Sequence, residues 1–109
     1  MNARTVGLEG EKKARAFLES SGLKVLATNF HSRFGEIDIV AESEEALHFI
    51  EVKASMTYDA VVRITPNKYT KILKTIDYYL YRYPQNKDFQ VDAIIVFKDE
   101  IEWIKNISY

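Results

Sequence analysis

Residues 35–53 read GEIDIVAESEEALHFIEVK, and this stretch decides the fold. Apolar and polar residues alternate over 36–41, which is typical of a β-strand. The run over 46–53 is apolar on both faces except near its end, so it predicts a buried strand. Because the acidic segment 42–45 between them is short, we predict a hairpin turn that makes the two strands antiparallel neighbours.

Acidic side chains occupy positions of this hairpin where core residues are expected. Asp38 lies between two isoleucines, and strand alternation predicts that it points away from both of them. Glu51 and Lys53 point to one face near the end of the second strand. A turn centred in the acidic segment places Asp38 beside Glu51 across the ladder. Two neighbouring carboxylates repel each other, so a shared proton, a nearby cation or a metal ion must offset their charge.

These residue types predict a metal site for a hard cation. Oxygen ligands without cysteine or paired histidine favour Mg²⁺ or Mn²⁺ over zinc. Asp38 and Glu51 are the predicted ligands, and Lys53 is placed to orient or deprotonate a metal-bound water and to stabilise charge on a phosphate. Glu11, on or near the buried stripe of a first helix, is placed to complete the ligand shell. The same acids also fit an exposed strand face with an ordinary ion pair, and the residues alone leave both interpretations open.

The flanking sequence predicts two helices and three more strands. The elements are a helix over 5–20 that stops near Gly22, a strand over 23–27, a polar turn over 29–35, a helix from Thr65-Pro66 to Tyr83, and strands over 89–97 and 101–104. The order helix, three strands, helix, two strands predicts an α/β or α+β sandwich around one central sheet.

The composition is that of a globular chain. It has 109 residues, of which 47% are hydrophobic and 28% charged, so we predict a single domain over residues 1–109. The absence of cysteine excludes a disulfide scaffold, a thiolate zinc site and a cysteine nucleophile. No apolar run reaches the length of a membrane span, and the first residues lack the apolar core of a signal peptide. We therefore expect a cytoplasmic protein with no membrane partner.

The distribution of charge says more about partners than the net charge of -1 does. Residues 36–51 contain six acids and no lysine or arginine, whereas residues 63–74 contain four cations and no acid. This contrast suits a metal site that acts on a polyanion, and it also suits ordinary solvated surface. Lys68 lies in the first turn of the second helix, where anions bind readily. If the polyanion is a nucleic acid, the predicted contacts to its backbone are Lys68, Arg33 and Arg63; Lys68 also fits plain solvated surface.

Several other residues are expected to be structural. Asp92 lies within an apolar strand and needs an ion-pair or hydrogen-bond partner, and His48 points away from Glu51 and Lys53. Three tyrosines of the second helix fit its packing stripe: Tyr69, Tyr79 and Tyr83. Two others face outward: Tyr78 and Tyr81.

Asp38 followed by Glu51-Val52-Lys53, with Glu11 on a preceding helix, resembles the PD-(D/E)xK nuclease pattern and is most similar to archaeal Holliday-junction resolvases. A longer set of segments resembles the YraN-like family of uncharacterised bacterial proteins: Gly10-Glu11, Asn29-Phe30, 35–40, 49–53, Lys68 and Val91-Asp92. The resemblance implies a restriction-endonuclease-like fold with a mixed sheet and a Mg²⁺ site of two acids and one lysine. Cleavage of both DNA strands would require a homodimer.

Three positions depart from the patterns that carry this resemblance. Ile37 precedes Asp38 where the motif has proline, and Ala54 and Ser55 follow Lys53 where the family usually has an arginine. His31 stands in place of another arginine. Arg33 follows His31 by two residues, so the two phosphate-facing cations are either lost or displaced, which affects expected phosphate contacts rather than the metal ligands.

The function expected from the sequence is a Mg²⁺-dependent endonuclease that acts on DNA, including branched or structured DNA. Two alternatives remain open. One is a nucleic-acid-binding module that keeps the nuclease-like fold and cleaves little or nothing. The other is an interaction protein whose acids are only surface.

Overall fold

The protein is described by a computed structural model that covers the backbone of residues 3–55 and 64–108 and the side chains of 7–54 and 64–108. Its elements are α1 (Ala3–Ser20), β1 (Lys24–Ser32), β2 (Gly35–Glu42), β3 (Ala46–Ser55), α2 (Pro66–Arg82), β4 (Asp88–Phe97) and β5 (Glu100–Ile104). The predicted α/β order is confirmed. Within the described residues, neither helix is long and apolar enough to cross a membrane.

The five strands form one mixed sheet in the order β1-β2-β3-β4-β5. β3 and β4 are parallel and the other neighbouring pairs are antiparallel. In the predicted β2–β3 hairpin, Ile39 lies opposite Ile50 and Glu42 opposite Leu47. This register is the predicted one, and it makes Asp38 and Glu51 the next residues along the two strands.

Each helix covers one face of the sheet. Ala14 and Leu18 of α1 pack in a buried cluster with Ile50 of β3, whereas Phe49, the preceding residue, packs with Ile76 of α2. Consecutive strand residues point to opposite faces, so the two clusters lie on opposite sides of the sheet. Because it is apolar on both faces, β3 occupies the centre of the sheet, as its sequence predicts.

Local sequence signals fix the helix ends. The Thr65 side chain accepts a hydrogen bond from the backbone N–H of Lys68, and Pro66 follows as the first helical residue of α2. At the end of α1, Gly22 has a φ of 92°, and the N–H of Leu23 donates to the carbonyl of Leu18. This is the glycine-terminated helix end predicted for Gly22.

Three details differ from the sequence-based expectations. Residues 29–32 belong to β1 rather than to a polar turn. The two isoleucines that flank Asp38 pack in different clusters, so side-chain alternation breaks at Asp38 instead of continuing through it. Asn29, with a φ of 51°, lies within β1 between Thr28 and Phe30, which pair with the two isoleucines that flank Asp38. Tyr83, expected in the packing stripe, is 49% exposed because it follows the last turn of α2.

Close packing of α1 on β3 depends on a glycine. A Cβ atom at Gly10 would lie 2.5 Å from the Cβ of Ala54, whereas a Cβ atom at Gly7 would meet nothing within 4 Å. We expect Gly10→Ala to lower the free energy of unfolding by about 1–2 kcal/mol despite its gain in helix propensity. Urea denaturation measures this change.

The matched control for Gly10→Ala is Gly7→Ala, which is expected to stabilise the protein by up to about 1 kcal/mol. Adding Ala54→Gly to Gly10→Ala removes the clash and should recover part of the loss. If Gly10→Ala stabilises the protein as much as Gly7→Ala does, α1 does not pack on β3 this closely.

Candidate functional site

The predicted acid pair lies where β2 and β3 stop pairing. The ladder ends at the Ile39–Ile50 pair, and beyond it Oδ2 of Asp38 accepts a hydrogen bond of 2.8 Å from the backbone N–H of Val52. A carboxylate thus takes the place of a main-chain acceptor. This bond holds the Asp38 side chain between the two strands, beside Glu51.

Glu51 forms an ion-pair cluster with two lysines. Its side chain is buried, with 7% of the residue exposed, and it points to the side of the sheet that α2 covers. Oε1 of Glu51 lies 2.6 Å from Nζ of Lys68 and 3.3 Å from Nζ of Lys53. Burial alone would lower the pKa of Lys68, but its hydrogen bond to Glu51 and that negative charge raise it above the ordinary value.

Asp38 is electrostatically the least favourable acid of the site. Burial, followed by repulsion from Glu51, raises its pKa from 3.8 to about 7, although the hydrogen bond from Val52 opposes the shift. Near neutral pH the Asp38 carboxylate therefore holds a proton much of the time. A cation placed against it would favour the ionised form.

Glu11 approaches the cluster from α1 and is linked to it by Asn29. With the Asn29 amide oriented so that its nitrogen faces the acids, it donates to Glu36 at 2.9 Å and to Glu11 at 3.2 Å. Burial and then repulsion from Glu36 raise the pKa of Glu11, against the opposing hydrogen bond from Asn29. Repulsion from Glu51 adds to the rise, so Glu11 shares the electrostatic field of the site.

The structure brings together the four predicted catalytic residues and one predicted nucleic-acid contact: Asp38, Glu51, Lys53, Glu11 and Lys68. Arg33 lies apart, at the exposed tip of the β1–β2 hairpin, and Arg63 lies outside the described residues. Sequence reasoning missed Asn29 and Glu36 as members of the site. For Asn29 the residue type itself was a signal, because asparagine is among the few residues that readily adopt a positive φ, as Asn29 does.

The donor set fits one hard divalent cation. Among the described residues, none donates a hydrogen bond to Oδ1 of Asp38 or to Oε2 of Glu51, so each carboxylate keeps one oxygen for a ligand. In that part of the chain no three His, Cys, Asp or Glu side chains are grouped to hold a metal ion by themselves. Two carboxylates with further ligands from water and substrate phosphate are a common Mg²⁺ arrangement. Asp38 and Glu51 are the residues that would hold the ion.

A second buried acid, Asp92, lies outside this site. Its carboxylate contacts His48, with Oδ2 2.7 Å from Nδ1 of the ring, and accepts a hydrogen bond of 3.0 Å from the indole N–H of Trp103. His48 also contacts the hydroxyl of Ser43 in the β2–β3 turn, at 3.1 Å. The expected structural partner of Asp92 is confirmed, and it is a network rather than one residue.

Comparison with known proteins places this architecture in a family. Residues 10–96 match the profile described as uncharacterised protein family UPF0102. A UPF0102 protein of Campylobacter hominis is 53% identical over 103 residues, which cover 94% of this chain and 92% of that protein. The corresponding protein of Campylobacter lari is 45% identical over 104 residues, covering 94% and 93%. The chain therefore belongs to the UPF0102 family, the YraN-like family that its sequence resembles.

Proposed function

We propose that the protein is a Mg²⁺-dependent endonuclease that hydrolyses phosphodiester bonds of DNA, including branched or structured DNA. The observation that carries the proposal is the convergence of Asp38, Glu51 and Lys53 at the open end of the β2–β3 hairpin. Phosphate hydrolysis needs acids that bind a metal ion and a positive group that stabilises charge on the phosphate, and these three side chains supply both.

Each residue has a distinct role in this proposal. Asp38 and Glu51 hold the ion, which when bound supplies Lewis-acid polarisation of the scissile phosphate. Lys53 orients the attacking water, whose proton passes to bulk solvent, and donates hydrogen bonds to the phosphate oxygens, where negative charge develops. Lys68 holds the Glu51 side chain in place through their ion pair, and through its charge it also attracts the DNA backbone. Glu11 adds negative charge from the α1 side.

The second candidate is a nucleic-acid-binding module that keeps the fold and cleaves little. The ion pairs of Glu51 favour it, because Lys68 and Lys53 already offset the charge of one acid without a metal. Asp38 favours the enzyme, because no lysine contacts it within the described residues and its pKa is raised. A homodimer and a cytoplasmic location, where bacterial DNA lies, are parts of the same proposal.

Metal binding separates both candidates from a protein whose acids are only surface. Titration of the protein with Mn²⁺, followed by electron paramagnetic resonance of the free ion, is expected to show one site per chain. Asp38→Asn should weaken this site at least tenfold, because it removes one of two charged ligands. Asp77→Asn, on the exposed face of α2, is the matched control and should bind as the wild type does. Equal binding by all three proteins would contradict the proposed ligands.

Cleavage separates the enzyme from the binding module. We expect Mg²⁺-dependent nicking of duplex, flap or four-way-junction DNA by the wild type, and none above background with Asp38→Asn or Lys53→Ala. Both variants should still bind DNA, since the remaining cations of the surface are unchanged. If wild type and Asp38→Asn cleave equally, the activity comes from another site or from a contaminant. If neither cleaves while both bind DNA, the binding module is correct.

A further inference from the structure

A groove separates the tip of the β1–β2 hairpin from α2. We call it the hairpin groove; its volume is about 590 Å³, and its lining residues are His31, Ser32, Arg33, Phe34 and Tyr78. The hydroxyl groups of Ser32 and Thr75 lie 2.8 Å apart, which fixes the hairpin tip against the helix. The groove is therefore formed by two elements that are bonded to each other, and its size is that of a small-ligand site.

Cations lie close to the two aromatic rings that line this groove, Phe34 and Tyr78. The guanidinium group of Arg33 lies 4.9 Å from the centre of the Phe34 ring, and the ammonium group of Lys74 lies 5.4 Å from the same ring. Tyr78 is 38% exposed, and the guanidinium group of Arg82 lies 5.9 Å from its ring. Aromatic faces next to cations are the elements with which proteins bind single-stranded nucleic acid.

The charge of the groove suits a polyanion. Arg33, Lys74 and Arg82 form no ion pair with any described residue, so their charges are not offset by protein carboxylates at contact distance. Two acids flank these cations in the sequence. Glu36 faces the His31 ring at 3.9 Å, and Asp77 precedes Tyr78 by one residue, so it points about 100° away around the helix.

Both elements that form the groove, the β1–β2 hairpin and α2, also lead to the site around Asp38 and Glu51. Phe34 precedes Asp38 by four residues, which corresponds to about 13 Å along an extended strand. On α2, residues at spacings of three and four form one stripe from the cluster to the groove: Lys68, Lys71, Thr75, Tyr78 and Arg82. Lys71 packs beside Gly35 between the two sites. Thr75 itself is buried against Ser32 of the hairpin, so the exposed members of the stripe that can meet DNA are Lys71, Tyr78 and Arg82. Residues 68 and 78 are about 15 Å apart along the helix, a distance that a DNA strand covers in a few nucleotides.

We propose that the hairpin groove binds unpaired bases of DNA, by stacking on Phe34 and Tyr78 while Arg33, Lys74 and Arg82 contact the phosphates. This inference rests on the proposed function and narrows it. The substrate is DNA with a single-stranded segment a few nucleotides from the phosphate that is cut, as in a flap or an open junction.

The test measures binding without cleavage. Fluorescence anisotropy in EDTA compares labelled oligo-dT, a blunt duplex of equal length, and the same duplex with a single-stranded flap. We expect the wild type to bind the two substrates with unpaired bases at least about tenfold more tightly than the blunt duplex. Phe34→Ala and Tyr78→Ala should each bind these two substrates about tenfold more weakly than the wild type does. Their affinity for the blunt duplex should change little. Tyr78→Phe keeps the ring and should bind as the wild type does.

Tyr81→Ala is the matched control, because Tyr81 is 81% exposed on α2 but does not line the groove. Urea denaturation of each variant distinguishes lost contacts from lost folding, and Phe34→Ala retains a readout if Tyr78→Ala unfolds. Equal affinity of the wild type for all three DNAs overturns the inference. So does a loss of affinity with Tyr81→Ala as large as the loss with Tyr78→Ala. A change in oligomeric state with Phe34→Ala, without a change in DNA binding, would instead assign the groove to contact with a second copy.

This inference and the proposed function can fail separately. If the groove variants lose binding to unpaired bases but the wild type never cleaves, the groove stands and the nuclease proposal fails. If the wild type cleaves and Phe34→Ala cuts flap and duplex DNA at the wild-type ratio, the nuclease stands and the groove inference is overturned.

Discussion

Asp38→Asn is expected to stabilise the metal-free protein, with the free energy of unfolding at about pH 8 increasing by roughly 2–4 kcal/mol. In the folded protein the pKa of Asp38 is about 7, compared with an ordinary value of 3.8, because the side chain is buried beside Glu51. Keeping it ionised therefore costs folding free energy. Asparagine has no charge, and its side-chain oxygen can still accept the hydrogen bond from Val52.

The pH dependence follows from the direction of the shift. The folded wild type holds the Asp38 proton more tightly than the unfolded chain does, so it loses stability as pH rises from about 4 to about 7. Below this window both states are protonated, and above it both are ionised. The stability difference between Asp38→Asn and wild type should thus increase across the window and be constant above it. Urea denaturation at several pH values measures the difference.

Divalent metal should largely cancel this difference in stability. Saturation with Mg²⁺ at about 100 times the dissociation constant stabilises the wild type by about 2.7 kcal/mol, whereas Asp38→Asn should gain much less. Asp77→Asn, an exposed acid on α2, should change stability by no more than about 0.5 kcal/mol at any of these pH values. A pH-independent difference, or destabilisation by Asp38→Asn at about pH 8, would show that Asp38 is not held at an electrostatic cost. A residue that functions at the expense of stability is characteristic of a binding or active site.

The sequence was sufficient to predict how the acids reach one another, because that arrangement depends on local rules. The short acidic turn sets the β2–β3 register, and the register places Asp38 next to Glu51. Local signals also predict both ends of α2: Thr65-Pro66 marks its start, and its apolar stripe stops before Pro84. Each of these features is specified by residues close together in the chain.

The features that the sequence did not predict depend on distant contacts or on unusual backbone geometry. The ion pair of Lys68 with Glu51 requires α2 to cross the end of β3, which no local pattern specifies. Asn29 was placed in a turn because polar residues surround it, yet its positive φ is accommodated within β1. The hairpin groove likewise arises from tertiary packing, since the loop that holds Phe34 meets Tyr78 of α2 only in the folded protein.

Asp92→Ala is expected to lower the free energy of unfolding by about 3–5 kcal/mol. Asp92 is completely buried in the centre of β4, with 0% of the residue exposed. Four hydrogen-bond partners surround its two oxygens: the His48 ring, the Gln90 amide, the Trp103 indole and the backbone N–H of Asn106. Truncation to alanine leaves the buried His48 ring without its partner and three part-buried donors without their acceptor, which is more costly than losing the hydrogen bonds themselves.

Asp92→Asn should also destabilise the protein, because an amide offers one acceptor oxygen to groups that contact both oxygens of the carboxylate. The Gln90 amide and the Asn106 N–H donate to Oδ1, and the Trp103 indole donates to Oδ2, where the His48 ring also makes its contact. Whichever way the amide is turned, its NH₂ group faces one of these pairs. We therefore expect Asp92→Asn to lower the free energy of unfolding by more than Trp103→Phe, which should lower it by about 1–2 kcal/mol, and by less than Asp92→Ala.

Trp103 is the only tryptophan in the chain and is bonded to Asp92, so its fluorescence monitors this network during urea denaturation. Asp88→Ala, an exposed acid at the start of β4, is the matched control and should change stability by less than about 0.5 kcal/mol. Similar effects of Asp92→Ala and Asp88→Ala would mean that the network does not stabilise the fold. Because the metal ligands do not take part in this network, Mn²⁺ should bind the folded fraction of Asp92→Asn as it binds the wild type. Weakened binding by that fraction would show instead that β4 positions the acid pair through the neighbouring strand β3.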